Sequence, residues 1–91
     1  MRLTKNFTQR EFKTKKDVSL IANELQVLRD FLGQRLRVLN YDHSNKSVDI
    51  KSMDIDNEDL YLILASLIQS KDLKEGKIGL YPKFVRYEIN K

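Results

Sequence analysis

Gly76-Lys77-Ile78-Gly79-Leu80-Tyr81-Pro82-Lys83-Phe84-Val85-Arg86-Tyr87-Glu88-Ile89 is the stretch whose reading decides the fold. Its second half alternates Val85, Tyr87 and Ile89 with Arg86 and Glu88. That period of two marks a strand with one apolar and one polar face. Pro82 has no amide hydrogen to give a ladder, so it breaks the run. The segment therefore reads as two strands, 77–81 and 84–89, joined around Pro82.

Working back from there, two helices and a second strand pair appear. Leu60, Ile63, Leu64, Leu67 and Ile68 recur at helical spacing and predict a helix over 56–70. Asp56 or Asn57 can cap its start, and Glu58 and Asp59 suit the positive end of its dipole. Residues 71–76 are a charged connection. Ser47-Val48-Asp49-Ile50-Lys51 alternates as a strand, and Arg35-Leu36-Arg37-Val38-Leu39-Asn40-Tyr41 alternates at its start. Asp42-His43-Ser44-Asn45-Lys46 between them is turn chemistry, so the two strands can pair as a hairpin.

Ile21, Leu25, Leu28 and Leu32 form one continuous stripe and predict a helix over 18–32, with Val27 and Phe31 widening its apolar face. Asp17 or Ser19 can cap it, and Gly33 follows its end, where a left-handed residue closes a helix. Upstream, Thr8-Gln9-Arg10-Glu11 has the spacing of a capping box, and Phe7 and Phe12 have that of a hydrophobic staple on a short helical turn. The order is helical turn, helix, strand, strand, helix, strand, strand. This predicts an α+β fold: a small, mainly antiparallel sheet of about four strands with two helices packed on one face.

The chain has 91 residues, room for a single domain, 1–91. It is 41% hydrophobic and 33% charged, as soluble globular proteins are. It has no cysteine, which excludes disulfides, thiolate catalysis and cysteine metal sites. No apolar run approaches the roughly 18 residues of a membrane helix, and Met1-Arg2-Leu3-Thr4-Lys5 lacks the apolar segment of a signal peptide. No membrane partner is expected, and the expected location is a cytoplasm or the inside of a particle.

Net charge is +4. Arg2, Lys5, Arg10, Lys13, Lys15 and Lys16 are opposed near the N-terminus only by Glu11 and Asp17. Arg10, Lys13, Lys15 and Lys16 form a candidate basic patch for a polyanion, nucleic acid included. The alternative is a solvated face that keeps a small protein soluble.

The terminal segment resembles the close of the small zinc-dependent cell-wall peptidases, the D-Ala-D-Ala carboxypeptidase and L-Ala-D-Glu endopeptidase group. In that family it reads roughly Gly-Gly-Ile-Gly-x-Tyr-Pro-x-Phe-Val-His-Val-Asp. Leu3-Thr4-Lys5-Asn6-Phe7-Thr8-Gln9-Arg10-Glu11-Phe12 is similar to the family opening, Leu-Ser-x-x-Phe-Thr-x-x-Glu-Phe. The resemblance implies a reduced form of that peptidase fold. The resemblance further implies that a family loop of roughly fifteen residues is shortened away between the two hairpin strands, loops being the tolerant sites for such change.

The resemblance also implies where a zinc site would lie, and the chain departs from it. Asp49 matches the aspartate ligand. His43 stands six residues before Asp49, where the family motif, Ser-x-His-x-x-Gly-x-Ala-x-Asp, places the first histidine seven before. The final histidine is Arg86. A guanidinium stays protonated and has no lone pair for a metal. No carboxylate base stands among Tyr81, Pro82, Lys83 and Phe84. His43, Asp49 and Arg86 are thus expected to be a vestigial site with no metal, no cofactor and no catalysis. Arg86 is expected to bridge to Asp49 where the family holds its ion. The alternatives are an outward Arg86 on an edge strand and a solvent-exposed loop role for His43.

Tyr41, Tyr81, Lys83 and Phe84 form a candidate binding surface, against the alternative that the aromatics fill a thin core. Together these readings predict a non-catalytic structural or binding protein, a bacteriophage virion (capsid or tail) accessory component, with a virion or host protein as partner. Two other readings stay open: a peptidoglycan hydrolase with an altered site, and a small basic nucleic-acid-binding or host-inhibiting protein. Self-assembly through exposed sheet edges also stays open.

Overall fold

The computed structural model describes residues 2–89; Met1, Asn90 and Lys91, which the 1–91 domain and the leader reading include, lie outside the described residues. A 3-10 turn, Gln9–Phe12, precedes helix α1, Ser19–Leu32. Strands β1, Arg37–Asp42, and β2, Ser47–Lys51, form a hairpin. Helix α2, Asn57–Gln69, leads to β3, Gly76–Leu80, and β4, Val85–Ile89. The four strands make one fully antiparallel sheet in the order β1-β2-β4-β3. The expected α+β class and element order are therefore present.

The sheet has two unlike faces, and its register says which residues share them, since directly paired residues project to the same side. One face carries the rows Tyr41–Val48–Tyr87–Ile78 and Val38–Ile50–Val85–Leu80. Val48, Ile50, Val85 and Tyr87 are buried there in one cluster with Ile21, Leu25 and Leu28 of α1 and Leu60, Leu64 and Leu67 of α2. The other face carries Asn40–Asp49–Arg86–Gly79 and Asp42–Ser47–Glu88–Lys77.

Local chemistry explains the boundaries. Gly33 closes α1 at φ 66°, and its N–H donates to the Arg29 carbonyl. Val18, not Asp17 or Ser19, holds the cap position of α1, while the Asp17 carboxylate accepts the Ser19 N–H at 2.9 Å from one residue earlier. Hydrogen bonding to Ser19, through its side chain first and its backbone N–H second, holds the Asp17 pKa below its ordinary value. Phe7 and Phe12 are both buried, as the staple spacing requires, and the Glu11 carboxylate accepts the Thr8 N–H at 3.1 Å.

Two packing expectations are corrected. Val27 and Phe31 do not widen the buried face of α1; they are 38% and 63% exposed, because they flank the stripe of Ile21, Ala22, Leu25 and Leu28 that the core covers. In β1 the register shifts between Val38 and Asn40, a bulge that makes Leu39 the unpaired extra residue. The bulge is why alternation in that strand fades after its start, and why Val38 and Tyr41 reach the same face although three residues apart.

A polar latch joins the layers. The Lys74 N–H donates to Glu24 Oε1 at 2.5 Å, and the Tyr87 hydroxyl donates to the Lys74 carbonyl at 2.6 Å. Glu24 lies on the buried side of α1, so its carboxylate is satisfied by a backbone amide rather than by water. Burial, and secondarily the Glu24 charge, raise the Tyr87 pKa far above the ordinary tyrosine value.

Candidate functional site

Asp49 sits on β2 and Arg86 on β4, directly paired across the ladder. Arg86 Nε donates to Asp49 Oδ1 at 2.7 Å, and Nη2 donates to Oδ2 at 3.3 Å. Both carboxylate oxygens therefore face one guanidinium in the two-pronged geometry that arginine favours. Asp49 is almost wholly buried, whereas the Arg86 side chain is 42% exposed. The Asp49 hydrogen bond and charge hold the Arg86 pKa above its ordinary value.

The turn after β3 folds over this pair. Tyr81 and Phe84 stack with ring centroids 4.9 Å apart, 21° from parallel. The Arg86 guanidinium carbon lies 5.1 Å from the Tyr81 centroid and 5.6 Å from that of Phe84, within cation–π range. Gly79, paired with Arg86, makes this arrangement fit: a Cβ there would lie 2.9 Å from the Tyr81 ring. The glycine two residues before the tyrosine leaves a gap in the row, which the ring covers. Tyr81 N–H donates to the Phe84 carbonyl at 3.0 Å and closes the turn.

The sequence-predicted residues thus divide. Asp49 and Arg86 are joined as expected, and β4 is an inner strand, so the edge-strand alternative for Arg86 does not apply. His43 does not join them. Its Nδ1 lies 3.0 Å from the Tyr41 hydroxyl, and the rings meet edge-on. Tyr41 belongs to the helix-covered face and stands at 88° against buried Phe12. The hairpin turn therefore carries His43 to that side of the sheet, half-buried rather than solvent-exposed. Tyr81, Phe84 and exposed Lys83 share one turn, but Tyr41 lies on the opposite face and is no part of their surface. Burial and the neighbouring Asp42 and Asp17 charges raise the Tyr41 pKa.

A zinc ion of the kind the resemblance implies does not fit these residues. Three protein ligands and an open position are needed. The Asp49 oxygens face Arg86, His43 faces Tyr41, and the guanidinium offers no lone pair. Among the described residues no group of three His, Cys, Asp or Glu side chains could hold a metal ion.

The basic patch is also redistributed. Arg10 and Lys13 line a groove of about 800 Å³ together with Arg29, Arg35 and Arg37, whereas Lys15 and Lys16 lie outside that lining. Sequence reading missed the three arginines because they are 16 or more residues from Lys13; their basic character was legible, but their convergence depends on how α1 returns to β1. No protein-family model, curated protein or solved structure matches the chain.

Proposed function

We propose that this chain is a non-catalytic binding protein built on a reduced peptidase-like scaffold. The observation that carries the reading is the Arg86 guanidinium on both oxygens of Asp49. A permanent cation supplies locally what a metal dication would supply to the scaffold, and it leaves no position for an activated water. In the surrounding ledge Tyr81 and Lys83 are exposed and Tyr81 is stacked on half-buried Phe84, a form suited to anchoring a protein partner. The resemblance adds the accessory role in a bacteriophage particle.

Metal analysis of the purified protein and incubation with cell-wall peptides test the non-catalytic reading. The expected result is no stoichiometric zinc and no cleavage. Stoichiometric zinc with cleavage overturns it. Mass spectrometry of purified particles tests the accessory role: a fixed copy number per particle supports it, and recovery only in the soluble lysate overturns it.

A further inference from the structure

The groove beside β1 is lined almost entirely by one sign of charge. Arg10 and Lys13 come from the 3-10 turn, Arg29 from the last turn of α1, and Arg35 and Arg37 from the entry to β1. The one carboxylate in the lining, Glu11, is engaged with the Thr8 N–H and hydroxyl at 3.1 and 3.3 Å. Among the described residues no carboxylate forms an ion pair with any of the five groove cations. Like charges gathered on a concave wall repel one another, and the concavity concentrates their field on whatever enters.

The walls are fixed in place. Phe7 and Phe12 anchor the 3-10 turn in the core. The Gln26 side-chain amide bonds the turn to α1: the Asn6 backbone N–H donates to Gln26 Oε1 at 2.8 Å, and Gln26 Nε2 donates to the Asn6 side-chain Oδ1 at 2.7 Å. Gln9 Nε2 donates to the Thr14 and Lys16 carbonyls at 2.7 and 2.9 Å, holding the strand of chain that follows Lys13. On the other side, the left-handed Gly33 reverses the chain between Arg29 and Arg35. The backbone that carries the cations is therefore preorganised, which lowers the part of the ordering entropy of binding that the chain itself would contribute.

We infer that this groove binds the phosphate backbone of duplex nucleic acid, independently of sequence. Four of the five cations are arginines, whose planar fork matches phosphate oxygens two at a time. A concave, cationic wall fits the convex edge of a duplex; a planar lipid surface does not enter it. No aromatic ring lines the groove, so it offers no platform on which the unpaired bases of a single strand would stack. Contacts restricted to phosphates position a protein on a duplex without reading bases. This site is distinct from the Asp49–Arg86 pair and does not depend on the reading proposed for it.

Fluorescence anisotropy with a short labelled DNA duplex tests this. Binding is expected at low salt, with a slope of log K against log salt approaching about −4.5 if all five cations meet phosphates. The variant Arg29→Gln/Arg35→Gln/Arg37→Gln is expected to flatten the slope by about 3 and to weaken low-salt binding by more than about tenfold. Arg10→Gln/Lys13→Gln, on the opposite wall and away from α1, is expected to flatten it by about 2, and reads the groove even if the triple variant folds poorly. Lys51→Gln/Lys74→Gln/Lys77→Gln removes the same charge elsewhere and is expected to leave the slope nearly intact. The inference is overturned by no anisotropy change at low salt, by equal losses in the groove and control variants, or by tighter binding of a single strand or of polyglycerol phosphate than of the duplex.

Discussion

The two faces of the sheet are made from the same four strands and hold opposite chemistry. On the helix-covered face, Val48, Ile50, Val85 and Tyr87 are buried beneath α1 and α2. On the open face, the row Asn40–Asp49–Arg86–Gly79 is organised by an ion pair and a folded-back aromatic turn. Alternation along each strand separates the two chemistries: burial on one side holds the fold, and the other side carries the polar and charged rows. Substitutions on the covered face should therefore be read in stability, and those on the open face in local order and binding.

The largest expected effect is on the covered face. Leu64→Ala removes a fully buried side chain of α2 and is expected to destabilise by about 2–5 kcal/mol in chemical denaturation. A loss below about 1 kcal/mol would show that the helix layer does not carry the fold. Tyr87→Phe keeps the packing and removes the hydroxyl that donates to Lys74, and is expected to cost about 1 kcal/mol.

Tyr87 also gives the comparison a pH signature. Its folded pKa is raised above the unfolded value of 10.0, so its contribution is complete below pH 10 and is lost as pH rises through the folded value. Tyr87→Phe is expected to flatten this alkaline loss in thermal melts recorded across pH. An unchanged alkaline profile would place the titration elsewhere.

On the open face, Asp49→Ala is expected to lower the melting temperature by less than Leu64→Ala does. The freed guanidinium is already partly hydrated and can turn fully to water. Its direct readout is faster exchange of the Arg86 Nε–H by NMR; unchanged exchange and an unchanged melt would remove the pair as an organising contact.

Gly79→Ala is expected to be smaller still in stability, because the ring it meets is a partly exposed side chain able to swing away. It should release Tyr81 from Arg86, visible as loss of ring-current shifts on the Arg86 side-chain protons. The smallest effect is expected from Asp17→Ala. The lowered Asp17 pKa means that its contribution is complete above the ordinary carboxylate value of 3.8 and fades as pH falls through the lower folded value. The variant should lose that acid dependence and little else.

Much of the covered face was legible in the chain. Ile21, Leu25 and Leu28, then Leu60, Leu64 and Leu67, and the alternation of Val85, Tyr87 and Ile89 all mark residues that are buried. Periodicity works there because burial is the same requirement at every step of an element. It failed at Val27 and Phe31, where apolar residues at helical spacing have no layer to cover them, and at Leu39, where a bulge changes the count. The expected bridge from Arg86 to Asp49 is present, across the directly paired positions of β2 and β4. The separation of His43 and Tyr41 from that pair was not legible, because a hairpin's register decides which face each side chain joins, and one bulged residue reverses the assignment.

By itself the sequence determined the elements and their order, the apolar stripes, the left-handed stop at Gly33 and the presence of unbalanced positive charge. These depend on local backbone preference and on spacing along the chain. Tertiary structure alone decided that Arg10, Lys13, Arg29, Arg35 and Arg37 line one groove, that Glu24 and Tyr87 meet at Lys74, and that Asp49 sits beneath Arg86 with Tyr81 over it. Such convergence joins residues far apart in the chain. It is fixed by strand register and by where the helices return the chain, which no local pattern encodes.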